Sequence, residues 1–96
     1  MIVVTAKMNV KTGQRNEFIS SCQDLIDRSN KEDGCISYKL YSDTYNPDEL
    51  VMLEFWKDIE SLNIHMETDH FKKFGYILEE FLDSEIDIRK YTADAI

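Results

Sequence analysis

Between Leu50 and Lys57 the chain is apolar at both alternating positions, with Leu50, Met52 and Trp56 on one parity and Val51, Leu53 and Phe55 on the other. Successive side chains of a strand point to opposite faces, so such a segment needs cover on both sides. Residues 2–10 behave similarly: Ile2, Val4, Ala6 and Met8 alternate with Val3, Thr5, Lys7 and Asn9, so both faces of this strand are at least partly apolar. Any fold of this chain must therefore shield two sides of its sheet.

The remaining segments supply cover for one side. From about Gln14 to Asn30, the residues Phe18, Cys22, Leu25, Ile26 and Ser29 recur at helical spacing. The polar break Lys31-Glu32-Asp33 follows, with Gly34 placed to succeed a helix C-terminus. Cys35 to Asp43 reads as a strand, with Ile36, Tyr38 and Leu40 on one face and Cys35, Ser37, Lys39 and Tyr41 on the other. Asn46-Pro47-Asp48 is a turn, because proline presets its own φ, and it predicts a hairpin into the strand at 50–57. Asp58 is placed to cap a short helix that turns Ile59, Leu62 and Met66 inward and ends near Glu67. Thr68 or Asp69 caps the next helix, whose stripe is Phe71, Phe74, Leu78 and Phe81. Residues 84–91 return to strand, and Thr92 to Ile96 are expected to be loose.

The order β-α-β-β-α-α-β predicts an α+β fold with antiparallel pairing and helices on one sheet face. Its other face carries the second apolar parity, and soluble monomers rarely expose such a patch. We therefore expect a homodimer in which two sheets pack face to face. With 96 residues, one domain spanning 1–96 is expected, its core at about 2–91.

A formal charge of −8 repels phosphate backbones and anionic lipid, so neither nucleic acid nor membrane is an expected partner. Cys22 and Cys35 lack CxxC spacing and read as reduced core thiols of a cytoplasmic protein. With three glycines there is no GxGxxG and no P-loop to hold a dinucleotide.

His65 falls at the junction between the two later helices, near Trp56 at a strand end. There an imidazole can act as base or acid with little tuning. His70, beside a helix start, is expected to cap or pack. The two histidines, read as neighbours on one helix, fall on different faces and lie in no HExxH, so no metal is expected. Glu54, on an otherwise apolar parity, is expected to pair with Lys39 or Arg89 across the sheet rather than remain a buried carboxyl. Cys35 has no recognisable base beside it.

The residues Glu54-x-Trp56-x-Asp58, His65-x-x-Thr68-x-His70-Phe71 and Gly34 before the second strand resemble the antibiotic biosynthesis monooxygenase domain family, over a span from Ile2 to about Tyr91. The resemblance implies a ferredoxin-like unit that dimerises into an α+β barrel. For members of the quinol monooxygenase type it also implies oxidation of a small aromatic polyol (hydroquinone or anthrone) by dioxygen, with no cofactor and no metal. The protein then supplies a base, a dry pocket and donors for the developing oxyanion. His65 stands at the position of the family's histidine and is the expected catalytic residue. Trp56, Phe71 and Phe74 are expected to wall the aromatic substrate, and Tyr38 or Asn63 to bond its oxygens. Haem-degrading relatives fit poorly: their proximal histidine falls near Gly75, their catalytic tryptophan on His65 and their first-strand asparagine near Ala6. Two alternatives stay open. One is a non-oxidative isomerase of a small metabolite or signalling sugar, with Lys7, Lys39 or Arg89 as its phosphate ligands. The other is a small-molecule-binding dimer without turnover.

Overall fold

The computed structural model describes residues 1–96. Its elements run β1 (Ile2–Asn9), α1 (Arg15–Asn30), β2 (Cys35–Ser42), β3 (Glu49–Trp56), α2 (Ile59–Met66), α3 (Asp69–Phe81) and β4 (Asp87–Thr92). The strands form one antiparallel sheet in the order β2-β3-β1-β4, a ferredoxin-like α+β topology. The two most apolar strands, β1 and β3, thus occupy its centre.

Register determines which residues share a face. On the helix side one row runs Tyr38, Glu54, Val4 and Lys90, and the next runs Leu40, Met52, Ala6 and Ile88. Helix α1 closes this side through Phe18, Cys22, Leu25 and Ser29, all buried. Helix α3 adds Phe74 and Phe81, and Phe18 meets the Phe81 ring edge-on at a centroid distance of 5.8 Å. Full burial of each such ring contributes about 1.5–3 kcal/mol. The opposite face carries the rows Ser37, Phe55, Val3, Tyr91 and Lys39, Leu53, Thr5, Arg89, with no helix over them.

Both later helices begin where side-chain caps are available. Asp58 accepts from the Ser61 amide at 2.8 Å and from its hydroxyl at 2.6 Å. Thr68 accepts from the Phe71 amide at 3.3 Å while its hydroxyl donates to the His65 carbonyl at 2.6 Å. This one threonine starts α3 and ties it to the end of α2, so the chain turns sharply between the two.

Three local expectations need correction. Ile59 does not turn inward with Leu62 and Met66: it begins α2 and is exposed. Ile36 does not join Tyr38 and Leu40 inside: a bulge between Cys35 and Ser37 leaves it unpaired and 58% exposed. Gly34 is not a left-handed helix cap, since Gly13 alone has a positive φ. Its lack of a side chain matters because an added Cβ would collide with the side chain of Ser61. Gly34 thus lets α2 press against the start of β2.

Candidate active site

A cavity of ≈ 560 Å³ lies between the sheet and helices α2 and α3. The sheet rows of Val4 and Ala6 form its floor, and Leu62 and Met66 from α2 with Phe71, Phe74 and Leu78 from α3 form much of its cover. Against this apolar lining stand five polar side chains: Tyr38, Glu54, His65, Lys72 and Lys90. A mostly apolar hollow with a few convergent polar groups is the usual form of a small-molecule site.

His65 is the best-defined of these groups. It lies in the last turn of α2, 1% exposed, with its ring centroid 4.6 Å from Trp56, 5.1 Å from Phe71 and 5.4 Å from Tyr38. Its Nδ1 is 2.6 Å from Glu32 Oε2. An ionised carboxylate offers only lone pairs, so Nδ1 carries the hydrogen and the neutral ring keeps its free lone pair on Nε2. Nε2 is buried and has no protein partner. Burial holds the imidazole below its ordinary pKa, opposed by the hydrogen bond and charge of Glu32. The ring is therefore neutral near pH 7 and able to accept a proton.

The same Glu32 oxygen is 2.9 Å from His70 Nε2, and the other, Oε1, is buried without a partner. Two imidazoles thus converge on one carboxylate. The expectation that they point apart assumed a continuous helix. The break at Thr68 places His65 in α2 and His70 in α3, with ring centroids 5.8 Å apart.

Glu54 pairs with neither Lys39 nor Arg89, whose side chains lie on the opposite face of the sheet. It is buried in the cavity wall and accepts from the Trp56 indole N–H at 3.0 Å. Burial pushes its carboxyl up to about 7, partly offset by the donors Trp56 and Tyr38. Tyr38 sits opposite Glu54, and burial together with that charge raises its phenol above the usual range. Asn30 holds this part of edge strand β2: its side chain donates to the Tyr38 carbonyl at 2.9 Å and accepts from the Tyr38 amide at 3.1 Å.

Of the residues expected from sequence, His65, Tyr38, Phe71 and Phe74 meet in the cavity lining. Trp56 is fully buried behind it, packed at a tilt against His65 and bonded to Glu54, and is not part of the wall. Asn63 is exposed and does not reach it, because Leu62 and Met66 take the inward positions of α2. Lys7, Lys39 and Arg89 are also absent from the lining, and the cations there are Lys72 and Lys90. Burial pushes the thiols of Cys22 and Cys35 up to about 12 and about 11, which leaves both protonated and unreactive at neutral pH.

Glu32 had no recognisable signal in the sequence, since it sits in a polar loop far from both histidines along the chain. Lys90 is likewise one charge among many on an exposed edge strand. Glu54 did carry a signal, a carboxylate on an apolar parity.

A four-stranded antiparallel sheet of this order, covered on one face by three helices, is a fold that known proteins share. Residues 1–75 match the family described as antibiotic biosynthesis monooxygenase, and the chain belongs to that family. It is similar to "Putative monooxygenase YcnE" of Bacillus subtilis (strain 168), 38% identical over 88 residues that make up 92% of this chain and 93% of the relative. It is also similar to "Probable quinol monooxygenase YgiN" of Escherichia coli (strain K12), 29% identical over 78% of this chain and 82% of that one. Among solved structures, a conserved protein from Methanosarcina mazei Go1 superposes with a TM-score of 0.92 at 44% identity, covering 97% of this chain and 92% of its own.

Proposed function

We propose that this protein is a cofactor-independent monooxygenase that oxidises a small aromatic polyol of hydroquinone or anthrone type. The observation that carries the reading is the unpartnered Nε2 of His65, on a ring that forms part of the wall of an apolar cavity. Nε2 takes the proton of a substrate hydroxyl while Glu32 holds the tautomer that makes this possible. The resulting anion transfers one electron to dioxygen, and the radical pair joins at a ring carbon. One oxygen atom stays as the new carbonyl and the other leaves as water with the two hydrogens lost from the substrate. Phe71 and Phe74 flank the planar ring, and the Tyr38 phenol donates to its oxygens.

Residues 1–96 act as one domain on this reading, and the working unit is a homodimer. The open sheet face has an apolar centre of Val3, Val51, Leu53 and Phe55, each half-buried already, between the edge tyrosines Tyr41 and Tyr91. Packing two such faces together buries apolar area at roughly 25 cal/mol per Å². No helix is long and apolar enough to cross a membrane. With both cysteines free, a cytoplasmic setting suits the chain.

Oxygen uptake by metal-free protein with a panel of hydroquinones and anthrones tests the reading, with ¹⁸O₂ to follow the atom retained in the quinone. No consumption across the panel sinks it. Lys72 and Lys90 in the cavity support a second reading, a proton-shuttling isomerase of an anionic metabolite using the same His65. Solvent deuterium entering such a substrate without oxygen uptake would favour it.

A further inference from the structure

We propose that Glu32, His65 and His70 form a binding site for one divalent transition-metal ion of the zinc type. Their ligand atoms lie within 4.8 Å of one another and supply two imidazole nitrogens and a carboxylate, a donor set suited to such an ion. They come from three separate places: the loop after α1, the last turn of α2 and the first turn of α3. Thr68 bonds the two helix ends together, so the convergence does not depend on one flexible loop. The second observation is the Glu32 carboxylate itself, whose Oε1 is buried and accepts from nothing. An ionised carboxylate ordinarily uses both oxygens, and bidentate coordination would engage the idle one.

The geometry requires little movement. His65 Nδ1 and His70 Nε2 are 2.6 and 2.9 Å from Glu32 Oε2. Metal–ligand bonds of about 2.0–2.2 Å in tetrahedral arrangement set neighbouring donors roughly 3.4 Å apart, so each nitrogen moves away from that oxygen by less than about 1 Å, while the two nitrogens, within 4.8 Å of each other, settle to the same spacing. Each imidazole binds through the nitrogen that now faces Glu32 and carries its hydrogen on the other. The side chains of Glu32 and His70 are 15% and 14% exposed, against 1% for His65, so an ion enters from the surface rather than through the cavity. Asp24, Glu67 and Asp69 border His70 on that side, with Arg28 and Lys73 among them. Both carboxylate oxygens and the two imidazole nitrogens together supply four donors.

Titration of the untagged full chain with Co²⁺, followed by its visible absorption, and with Zn²⁺ by calorimetry tests this site. One ion per chain is expected, with affinity falling at least tenfold in Glu32→Gln and in His70→Ala and unchanged in Cys35→Ser. His70 is near the surface, so its variant keeps the fold, which circular dichroism verifies. Absence of binding at millimolar Zn²⁺ overturns the proposal. So does binding that both variants retain, or that Cys35→Ser abolishes. The assay needs no turnover, so it stands or fails separately from the monooxygenase reading.

Discussion

The indole N–H of Trp56 donates to Glu54 Oε1 at 3.0 Å, from two positions along the same strand. Trp56 also packs against His65, the rings tilted by 40° with centroids 4.6 Å apart. One buried aromatic thus supports two titratable groups of the cavity, Glu54 and His65, although it does not line the cavity itself.

Glu54 makes stability depend on pH in an unusual direction for a carboxyl. Its folded value is raised from 4.5 to about 7, so the folded protein binds the proton more tightly than the unfolded chain. The contribution is complete below the unfolded value and is lost as pH rises through about 7. The difference across that window is on the order of 3 kcal/mol. Glu54→Gln keeps the indole bond without the charge. It should be more stable than wild type at pH 8, and the advantage should shrink toward pH 5. Urea denaturation of both proteins at the two pH values measures this, and parallel curves would disprove the assignment.

Replacing the imidazole removes the proposed base. His65→Ala should lose about 10²–10⁴-fold in kcat with a smaller change in KM, since general-base catalysis acts in the transition state. Glu32→Gln should lose less, at least about tenfold, because an amide can still accept from Nδ1 but stabilises the imidazolium poorly. Steady-state oxygen uptake distinguishes the two. Full activity in His65→Ala removes the base assignment while leaving the reaction class intact.

Much of the fold was legible because apolar periodicity reports local structure directly. All seven elements lie close to their expected positions, and the caps Asp58 and Thr68 are where short polar side chains precede apolar stripes. The bulge at Ile36 was not legible, since nothing local distinguishes that residue from its strand neighbours. At the site, Phe71, Phe74, Tyr38 and His65 could be placed from pattern and resemblance. The partners of His65 could not, because Glu32 reaches it through tertiary packing. Asn63 illustrates the opposite error: next to Leu62 in sequence, it is rotated about 100° around α2 and faces solvent.

The open sheet face gives a prediction about assembly. Leu53 lies in its centre, in a row with Lys39 and Arg89 at the sheet edges. A third cation there is unpaired and would be buried in a dimer, so Leu53→Lys should dissociate it while leaving the helix-side core untouched. Light scattering should report twice 11.3 kDa for wild type and a single chain for the variant. A monomeric wild type contradicts the sheet-packing argument.

Gly34 gives a prediction about stability. A Cβ there meets the Ser61 side chain, so Gly34→Ala must push α2 away from the start of β2. Overpacking of this kind costs typically about 1–3 kcal/mol. Adding Ser61→Gly removes the obstructing atoms and should recover part of the loss, although it also removes one donor to Asp58. Thermal melts of the single and double variants measure the coupling, and simple additivity would rule out the contact as its cause.

Zinc should act on turnover through the tautomer of His65. Coordination at Nδ1 places the ring proton on Nε2, so the nitrogen that accepts a substrate proton in the free protein becomes a donor. Oxygen uptake should therefore fall at least tenfold at saturating Zn²⁺ and recover on adding EDTA. The concentration for half-inhibition should match the calorimetric affinity. In His70→Ala, where binding is weakened but His65 and Glu32 remain, activity without metal should persist and more zinc should be needed to suppress it. Inhibition at the same concentration in both proteins would place the responsible ion elsewhere.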